Sequence, residues 1–329
     1  MSLQSHAVPR IAVIGAGMAG LACANALSRQ GVPVVVFDKS RGLGGRMAAR
    51  RVDGGASFDH GAQYVTARSF AFKRYLDTAC AVGAASPWQP VQAEFAAIGE
   101  TWFTGTPAMK ALVKPLADGL EIHRATQVTA VSRDGSGWRL ATSGGGDPER
   151  FDFVVCTTPA PQAQALLAAQ HDIAAALGMV TTAPCWALMV SFATPVRPGF
   201  DVRQAMDAPI AWLARSASKP GRQLEPDCWV VHASPAWSRA HLEAAPDDVA
   251  RRLLDLLPGA FATALPEVEH IAAHRWRYAR TTTALGQPYL RSADGTLLLG
   301  GDWCLGARVE YAFASGRAIA AELGTALAA

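Results

Sequence analysis

Cysteine is scarce in this 329-residue chain, and its six copies are scattered. They form no C-x-x-C pair and none of the spacings that bind a metal ion, and several lie inside apolar segments. Such positions are typical of free, buried thiols in a reducing compartment. The pattern therefore argues against a disulfide-stapled secreted domain and against a metal centre.

Excess charge and long apolar runs are also lacking. The formal net charge is +3, and no basic run alternates with aromatic residues as a nucleic-acid groove requires. No run of about 18 apolar residues occurs, which argues against a membrane span. Residues 1–9 lack the basic and apolar regions of a signal peptide. We therefore expect a cytoplasmic protein that binds neither nucleic acid nor membrane.

The sequence also lacks the usual signatures of side-chain catalysis. It has no recognisable Ser/His/Asp arrangement, no H-E-x-x-H zinc motif and no paired catalytic carboxylates. The eight histidines are scattered and are interpreted as surface or packing residues. No side chain is therefore assigned as a catalytic acid, base or nucleophile.

What the chain does contain is a glycine-rich turn near its start. The apolar run at residues 11–14 is typical of a buried parallel strand, and it leads into Gly15-x-Gly17-x-x-Gly20 and a helical stretch. Gly15 makes the tight turn, Gly17 allows a pyrophosphate to approach, and Gly20 lets helix and strand pack closely. The helix N-terminus then offers N–H groups to phosphates.

A second strand at residues 34–37 ends in Asp38, eighteen positions after Gly20. A carboxylate at this place can accept hydrogen bonds from both ribose hydroxyls of an adenosine. The alternative is a helix-packing turn followed by a surface aspartate. The order of strand, turn, helix, strand and acid favours a dinucleotide site.

Two further stretches follow the second strand. Gly44-Gly45-Arg46 suits a chain that passes tightly across a pyrophosphate, with Arg46 adding a charge-assisted contact. Residues 59–68, which mix small, polar and aromatic side chains, suit a loop laid against a flat ring. Arg68 is a candidate for a phosphate or carboxamide contact, with a surface ion pair as the equally weighted alternative.

The rest of the chain alternates between helical and strand-like patterns. A helix is expected over residues 70–81, a β-meander over 127–156, and strands at 186–192, 211–214 and 229–233. A helix is expected from Pro246 to about residue 257. A strand at 297–299 then ends in Gly301-Asp302, and a helix begins at Val309. A length of 329 residues suggests about two domains.

Taken together, the Gly15 turn, Asp38, the Gly44-Gly45-Arg46 run, the meander and Gly301-Asp302 resemble the FAD-binding domain of the amine oxidase-like flavoproteins. Within that family the chain is most similar to the bacterial renalases. That likeness rests on runs such as residues 37–42, 61–64, 158–162, 212–215, 218–222, 274–276 and 301–305. It implies an α/β fold: a glutathione-reductase-type FAD-binding Rossmann domain with a β-meander, plus a discontinuous α+β substrate domain. The expected FAD domain comprises 1–86, 107–162 and 285–329, and the substrate domain comprises 87–106 and 163–284.

The resemblance also implies which residues bind ligands. The expected FAD-binding residues are Gly15, Gly17, Met18, Ala19, Gly20, Asp38, Lys39, Gly45, Arg46, Ala62, Gln63, Val128, Asp302 and Val309. The expected substrate-facing residues are Tyr64, Val65, Thr66, Ala67, Arg68, Cys185 and Trp303. The FAD is expected to be non-covalent, because Cys304 is interpreted as a packed thiol.

The implied activity is oxidation of dihydronicotinamide dinucleotides that are reduced at the wrong ring position. A hydride would pass to flavin N5, and oxygen would then yield hydrogen peroxide. One alternative is an amine oxidase, in which many relatives use a lysine that holds a water near N5. Lys219 is the one lysine in the second half of the chain, but its Ser-Lys-Pro-Gly setting predicts an exposed loop. A second alternative is an NAD-binding dehydrogenase or a non-catalytic nucleotide-binding module.

Overall fold

A computed structural model describes residues 9–93, 100–145, 149–205 and 207–328. Residues 1–8, 94–99, 146–148, 206 and 329 lie outside these ranges, and 146–148 fall within the stretch where the meander is expected. Among the helices that the structure describes, none has the length and apolar character that a membrane crossing requires.

The described residues form both strands and helices. In chain order, the strands are β1 (Ile11–Ile14), β2 (Val34–Phe37), β3 (Arg50–Arg51), β4 (Ser57–Phe58), β5 (Ala85–Trp88), β6 (Trp102–Gly105), β7 (Glu121–His123), β8 (Val128–Asp134), β9 (Gly137–Thr142), β10 (Glu149–Phe151), β11 (Phe153–Cys156), β12 (Thr181–Phe192), β13 (Val202–Gln204), β14 (Ile210–Arg215), β15 (Asp227–Ala233), β16 (Val268–Thr283), β17 (Leu290–Arg291) and β18 (Leu297–Leu299). The α-helices are α1 (Met18–Ser28), α2 (Phe70–Ala81), α3 (Lys114–Ala117), α4 (Ala160–Leu166), α5 (His171–Leu177), α6 (Pro235–Ala240), α7 (Pro246–Phe261) and α8 (Val309–Ala328).

Two compact units make up the chain, and both are discontinuous. The first unit comprises Met1–Gly45, Val113–Thr181 and Thr281–Ala329, and the second comprises Arg46–Leu112 and Thr182–Arg280. These boundaries differ from the expected ones, since 46–86 and 107–112 fall in the second unit, and 163–181 and 281–284 fall in the first. Core packing explains the difference: Phe58 packs beside Met189 of the second unit.

The first unit is built on a six-stranded sheet of order β17-β18-β11-β1-β2-β7. All neighbours run parallel except the antiparallel β17-β18 pair. Strand β1 lies inside the sheet, and Ile11 pairs with Val34 on one side and Phe153 on the other. All four residues of β1 are buried, as expected for a parallel strand covered on both faces.

The β-meander forms a separate antiparallel sheet of order β10-β9-β8 in the first unit. The meander is expected to extend to residue 156, but its last stretch divides into two strands. Phe151 ends β10 in the meander, and Phe153 begins β11 in the parallel sheet. Asp152 lies between them and exchanges hydrogen bonds with the Arg10 backbone, which fixes the point at which the chain changes sheet.

Glycine allows close packing between the first and last helices of the first unit. A Cβ atom added at Gly316 of α8 would lie 2.1 Å from the backbone oxygen of Ala19 in α1. Only glycine tolerates such an approach, since real Cβ contacts are longer. Helix α8 therefore packs directly against α1, the helix that follows the glycine turn.

The second unit is built on a five-stranded sheet of order β13-β14-β15-β12-β16. One face carries a large apolar core that includes Trp186, Leu188, Trp229 and Val231. Helix α7 covers this face through Val249, Leu253, Leu257 and Phe261, spaced at intervals of four residues. The helix passes through Pro258 and extends to Phe261, beyond the end at about residue 257 that the sequence predicts.

We refer to the opposite side of this sheet as the second face. Side chains alternate along a strand, so the second face bears Trp212 and Ala214 of β14, Val230 and His232 of β15, Cys185 and Met189 of β12, and His274 and Trp276 of β16. Two smaller apolar clusters lie on it. It also carries the polar groups of the candidate site.

Candidate functional site

The three glycines of the first turn have different surroundings. Gly15 has a φ of +109°, and a Cβ there would lie 2.8 Å from Thr157 Oγ1. At Gly20 the added Cβ would lie 1.9 Å from the Gly15 backbone oxygen. At Gly17, by contrast, it would meet nothing within 4 Å. Two glycines are thus required by packing, and the third faces open space, as a phosphate-binding turn requires.

The second glycine pair crosses this turn. The Gly44 N–H donates to the Ala16 backbone oxygen at 2.9 Å. Gly45 has a φ of +54°, and a Cβ there would lie 3.6 Å from the Gly17 Cα. Gly44-Gly45 therefore pass close to the first glycine turn, and their expected contact with a pyrophosphate stays a prediction. Gly44 and Gly45 thus lie beside Gly17 and form a continuous backbone surface with it.

The N-terminus of α1 suits an anion. Its N-cap is Gly17, which has no side-chain acceptor, and its first turn contains no acidic residue. The N–H groups of the first turn, starting with Met18 and Ala19, carry the positive end of the helix dipole. A phosphate would satisfy these donors, so this part of the first unit fits the diphosphate of a dinucleotide.

Asp38 at the end of β2 is buried and holds the turn together. Its Oδ2 accepts the Ala16 N–H and its Oδ1 accepts the Ser40 N–H, each at 2.7 Å. Each carboxylate oxygen keeps further acceptor capacity, which a ribose hydroxyl can use. The neighbouring Lys39 is exposed, and Val128 at the start of β8 is buried in the core of the first unit.

Asp302 lies after β18 in a short 3-10 helix, Asp302–Cys304, and is buried. Its Oδ2 accepts the Thr281 hydroxyl at 3.3 Å. Val309 begins α8 seven residues later, as the sequence predicts. The parallel sheet thus places Asp302 beyond the carboxyl end of β18, on the edge where Gly15 follows β1.

Two residues next to Asp302 belong to the core. Trp303 is only 1% exposed, and its indole N–H donates to the Thr158 backbone oxygen at 3.1 Å. The ring of Trp303 is enclosed by protein, and its expected contact with a substrate stays a prediction. Cys304 is also buried, and burial raises the pKa of its thiol to about 12. It is the packed thiol that the sequence predicts.

In the second unit, the segment 59–68 is held in place by side chains that hydrogen-bond to its backbone carbonyls. The His60 carbonyl accepts the Trp276 indole N–H at 2.9 Å and lies 3.3 Å from His232 Nε2. The Gln63 side-chain amide donates to the Gly61 carbonyl at 3.0 Å and also to the Asp59 carbonyl. These hydrogen bonds therefore hold the segment in a defined conformation, against which a ligand could bind.

The start of the second unit supports the same segment. The Arg46 carbonyl accepts the Ala62 N–H at 2.9 Å, and the Arg46 guanidinium donates to the Ala279 carbonyl at 3.2 Å. A Cβ at Gly61 would lie 1.9 Å from that Arg46 oxygen. Arg46 thus has a structural role within its unit, and its expected contact with a pyrophosphate remains a prediction.

Lys219 lies at the centre of the second unit's polar groups. Its side chain is 3% exposed, and its Nζ donates to Gln63 Oε1 at 2.9 Å and lies 3.5 Å from Asp59 Oδ2. The exposed loop that Ser-Lys-Pro-Gly predicts is therefore wrong. Tertiary contacts bury this lysine, and its partners lie about 160 positions earlier in the chain.

Arg222 completes the cluster. It donates to Asp59 Oδ2 at 2.6 Å, to Thr104 Oγ1 at 3.0 Å and to the carbonyls of Gly105 and Pro220. Asp59 Oδ1 accepts the Met109 N–H at 2.8 Å. We refer to Asp59, Lys219 and Arg222 as the charged cluster. It is missing from the sequence-based expectations, because no local pattern links these three positions.

Burial and charge set the protonation of this region. Burial lowers the pKa of Lys219 to about 8, and the Asp59 carboxylate partly offsets that fall. For Asp59, burial would raise the pKa, but Lys219 and Arg222 outweigh it and hold the pKa below its ordinary value. Burial lowers the pKa of both His60 and His232 to about 4, so both imidazoles are neutral at pH 7.

The residues expected to face a substrate divide into two groups. Tyr64 stacks on Trp102, with ring centroids 4.0 Å apart, and on Trp212 at 5.5 Å. Val65 pairs with Phe103 through two backbone hydrogen bonds, while Thr66 is buried and Ala67 is half-buried. Tyr64 and its aromatic neighbours therefore form one surface in the second unit.

Arg68 and Cys185 have other partners. Arg68 Nε donates to Glu100 Oε1 at 2.7 Å, and both side chains are largely exposed. This contact is the surface ion pair that the sequence allowed as an alternative. Cys185 lies on the second face, two residues before Ala187, which pairs with His232. Burial raises the pKa of its thiol to about 12, so it is unreactive at neutral pH.

Comparison with solved structures shows the fold. A putrescine oxidase triple mutant redesigned for cofactor binding has a TM-score of 0.74, with 13% identity over 97% of this chain and 99% of that chain. Cyclohexylamine oxidase from Brevibacterium oxydans IH-35A has a TM-score of 0.74, with 14% identity over 98% of this chain and all of that chain (100%). The predicted fold class is thus confirmed.

Curated relatives match only a short stretch. A zeta-carotene-forming phytoene desaturase from Myxococcus xanthus is 53% identical over 45 residues, which is 14% of this chain and 9% of that protein. The glutamate synthase [NADPH] small chain from Escherichia coli K12 is 58% identical over 36 residues, which is 11% of this chain and 8% of that protein. The matches thus span less than a tenth of either relative.

Family models cover most of the sequence. The model of NAD(P)-binding Rossmann-like domains matches residues 13–79, which include the glycine turn and Asp38. The model of flavin-containing amine oxidoreductases matches residues 68–324, more than half of the chain. The chain therefore belongs to the flavin-containing amine oxidoreductase family.

Proposed function

We propose that the protein is an FAD-dependent oxidase of misreduced nicotinamide dinucleotides. Its substrates are the 2-dihydro and 6-dihydro isomers of NAD(P)H, and its products are NAD(P)+ and hydrogen peroxide. The proposal rests on membership of a flavin-containing family and on the resemblance of the sequence to the renalases. It makes the protein a metabolite-repair enzyme.

FAD would bind without a covalent bond. In the first unit, Gly15, Gly17, Met18, Ala19 and Gly20 would hold its diphosphate beside Gly45, and Asp38 would accept a ribose hydroxyl. The remaining candidates for FAD contacts are Lys39, Arg46, Ala62, Gln63, Val128, Asp302 and Val309. The open space at Gly17 and the uncapped N-terminus of α1 support this assignment.

One observation carries the choice of substrate. Asp59 is the one carboxylate of the segment 59–68, and its oxygens are engaged by Lys219, Arg222 and the Met109 N–H. No carboxylate of this segment is thus available to bind an ammonium group or remove a proton. Oxidation of a dihydronicotinamide ring needs neither an ammonium-binding carboxylate nor a base, because the ring loses a hydride directly.

The chain's own contribution is position and electrostatics. The bound flavin supplies the hydride-accepting N5 atom and the reaction with oxygen. The preorganised segment 59–68 and the Tyr64 ring would hold the substrate ring flat. Cys185, Val65, Thr66 and Ala67 would lie around it, and Arg68 is a candidate for its phosphate or carboxamide. Overall, one dihydro-NAD, one oxygen molecule and one proton give one NAD+ and one hydrogen peroxide.

The stoichiometry tests this proposal. Purified flavoprotein is supplied in air with 6-dihydro-NAD, and NAD+ and hydrogen peroxide are measured over time. Equal amounts of the two products are expected. Formation of NAD+ without peroxide would contradict an oxidase, and an inert substrate would contradict the proposed substrate class.

A second candidate function is amine oxidation, which the burial of Lys219 favours. A buried lysine whose pKa lies near 8 keeps a neutral fraction at neutral pH and can hold a water or take a proton. Simple amines such as benzylamine test this alternative in the same assay. Peroxide release from an amine but not from 6-dihydro-NAD would favour it.

A further inference from the structure

The charged cluster of the second unit contains more positive than negative charge. Lys219 and Arg222 each carry one positive charge, and Asp59 carries one negative charge. No other carboxylate of the described residues lies within 4.0 Å of either cation. The cluster therefore has a net charge of +1 in a buried place, where a charge is poorly screened.

The nearby titratable groups do not neutralise this charge. His232 faces Lys219 from β15, and His60 follows Asp59 directly. Both histidines are kept neutral by burial. Arg222 is held by Thr104, Gly105 and Pro220, which are uncharged. The net positive charge of the cluster is therefore present at every pH at which Lys219 is protonated.

The cluster is continuous with the aromatic surface around Tyr64. Lys219 Nζ is bonded to Gln63, the residue before Tyr64, and lies 5.2 Å from the centroid of the Trp88 ring. Trp88 contacts Trp102 at 5.6 Å and Tyr64 at 6.4 Å. A ring held at Tyr64 would therefore feel the charge of Lys219 through apolar, weakly screening surroundings.

We propose that the charged cluster is a charge filter that admits a neutral ring to the Tyr64 surface and rejects a cationic one. The inference rests on the proposed function and assigns Lys219 as a specificity-determining residue. The reduced dihydronicotinamide ring is neutral, whereas the oxidised ring is a pyridinium cation. The filter would therefore favour the substrate over its own product, and it would equally disfavour a protonated amine.

The test uses two small rings that differ in charge alone. 1-Methylnicotinamide is a permanent cation, and 3-methylbenzamide is its neutral isostere. Binding of each to the flavoprotein is measured by calorimetry at pH 7. We expect the neutral ring to bind at least about tenfold more tightly, because like charges at short range in a poorly screened site repel strongly. Equal affinities, or no binding of either ring, would overturn the inference.

Lys219→Met removes the excess charge and leaves Asp59 paired with Arg222. We define the affinity ratio as the affinity for the neutral ring divided by the affinity for the cationic ring, and we expect it to fall by about tenfold in this variant. Lys73→Met is the matched control, since Lys73 is an exposed lysine of the second unit that pairs with Asp77. An unchanged ratio in Lys219→Met, or an equal fall in Lys73→Met, would overturn the inference.

The unmodified protein provides a test that does not depend on how a variant folds. Neither probe titrates between pH 6.5 and 9.5, so any change in their ratio reports on the protein. The ratio should be greatest below pH 8 and should shrink above it, as Lys219 loses its proton. A ratio that stays constant across this range would contradict the charge filter.

Turnover of 6-dihydro-NAD by the same sample separates the two proposals. Turnover without discrimination between the probes would overturn the charge filter and leave the proposed function standing. Discrimination without turnover would overturn the proposed function and retain the charge filter as a property of the site.

Discussion

Lys219 Nζ donates a hydrogen bond of 2.9 Å to Gln63 Oε1, and both side chains are buried in the second unit. The contact joins two segments that lie 156 positions apart. It orients the Gln63 side chain, whose amide N–H also donates to the Gly61 carbonyl. It also places a titratable cation next to the aromatic surface around Tyr64.

Burial of Lys219 should make stability depend on pH. Its pKa is lowered from 10.5 to about 8 in the folded chain, so between these values the unfolded chain binds more protons. The free energy of unfolding, measured relative to that of Lys219→Met, should therefore rise by about 3 kcal/mol between pH 8 and pH 10.5. Below pH 8 this difference should not change with pH. Urea unfolding of both proteins across pH 7 to 10.5 measures the difference. A difference that stays level or falls would contradict the buried, protonated lysine.

The glycine turn predicts opposite outcomes for two alanine variants. Gly17→Ala should fold with a loss of about 1 kcal/mol or less, because its methyl group enters open space. It should nevertheless weaken FAD binding by about tenfold or more, since that space would hold the phosphates. Gly20→Ala should lose about 3 kcal/mol or more, because its methyl group would overlap the Gly15 carbonyl.

Thermal unfolding of the apoproteins and FAD titration measure the two effects separately. Unchanged FAD affinity in Gly17→Ala would contradict the placement of the diphosphate at this glycine.

Asp38→Asn should weaken both the turn and cofactor binding. The carboxylate accepts the Ala16 and Ser40 N–H groups, and an amide can offer an acceptor to only one of them. A loss of about 1–3 kcal/mol in stability is expected from the remaining unpaired donor. Exposed Asp53→Asn serves as the control. Wild-type stability and FAD affinity in Asp38→Asn would contradict this role.

Arg68 is tested by removing each half of its ion pair. Because the pair is exposed, Arg68→Gln and Glu100→Gln should each cost less than about 1 kcal/mol of stability. If the guanidinium contacts the substrate, Arg68→Gln should raise KM for 6-dihydro-NAD by about tenfold and Glu100→Gln should leave it unchanged. Equal KM values in both variants would limit Arg68 to the surface ion pair.

Local patterns predicted the strands, turns and helix starts around the first unit's candidate site. The turn at Gly15, the strand ending at Asp38 and the helix start at Val309 are all specified by short segments and appear where expected. Helix α2 was also predicted with its observed bounds, since Ser69 caps it and its buried residues follow a helical period.

The second unit's charged cluster could not be predicted in this way. Lys219 lies in a Pro-Gly turn, whose local sequence is typical of an exposed loop, and only contacts with Asp59 and Gln63 bury it. The surroundings of Trp303 could not be predicted from its local sequence either. Its position beside Asp302 suggested a ligand contact, but the Thr158 carbonyl and the core of the first unit enclose its ring.

Anaerobic mixing of the purified flavoprotein with one equivalent of 6-dihydro-NAD is the decisive test of the proposed substrate. We expect rapid bleaching of the flavin absorption, release of one NAD+ per flavin, and recovery of the colour when oxygen is admitted. Benzylamine at the same concentration should leave the spectrum unchanged. A flavin that stays oxidised with 6-dihydro-NAD and is bleached by benzylamine would contradict the proposed function and establish an amine oxidase.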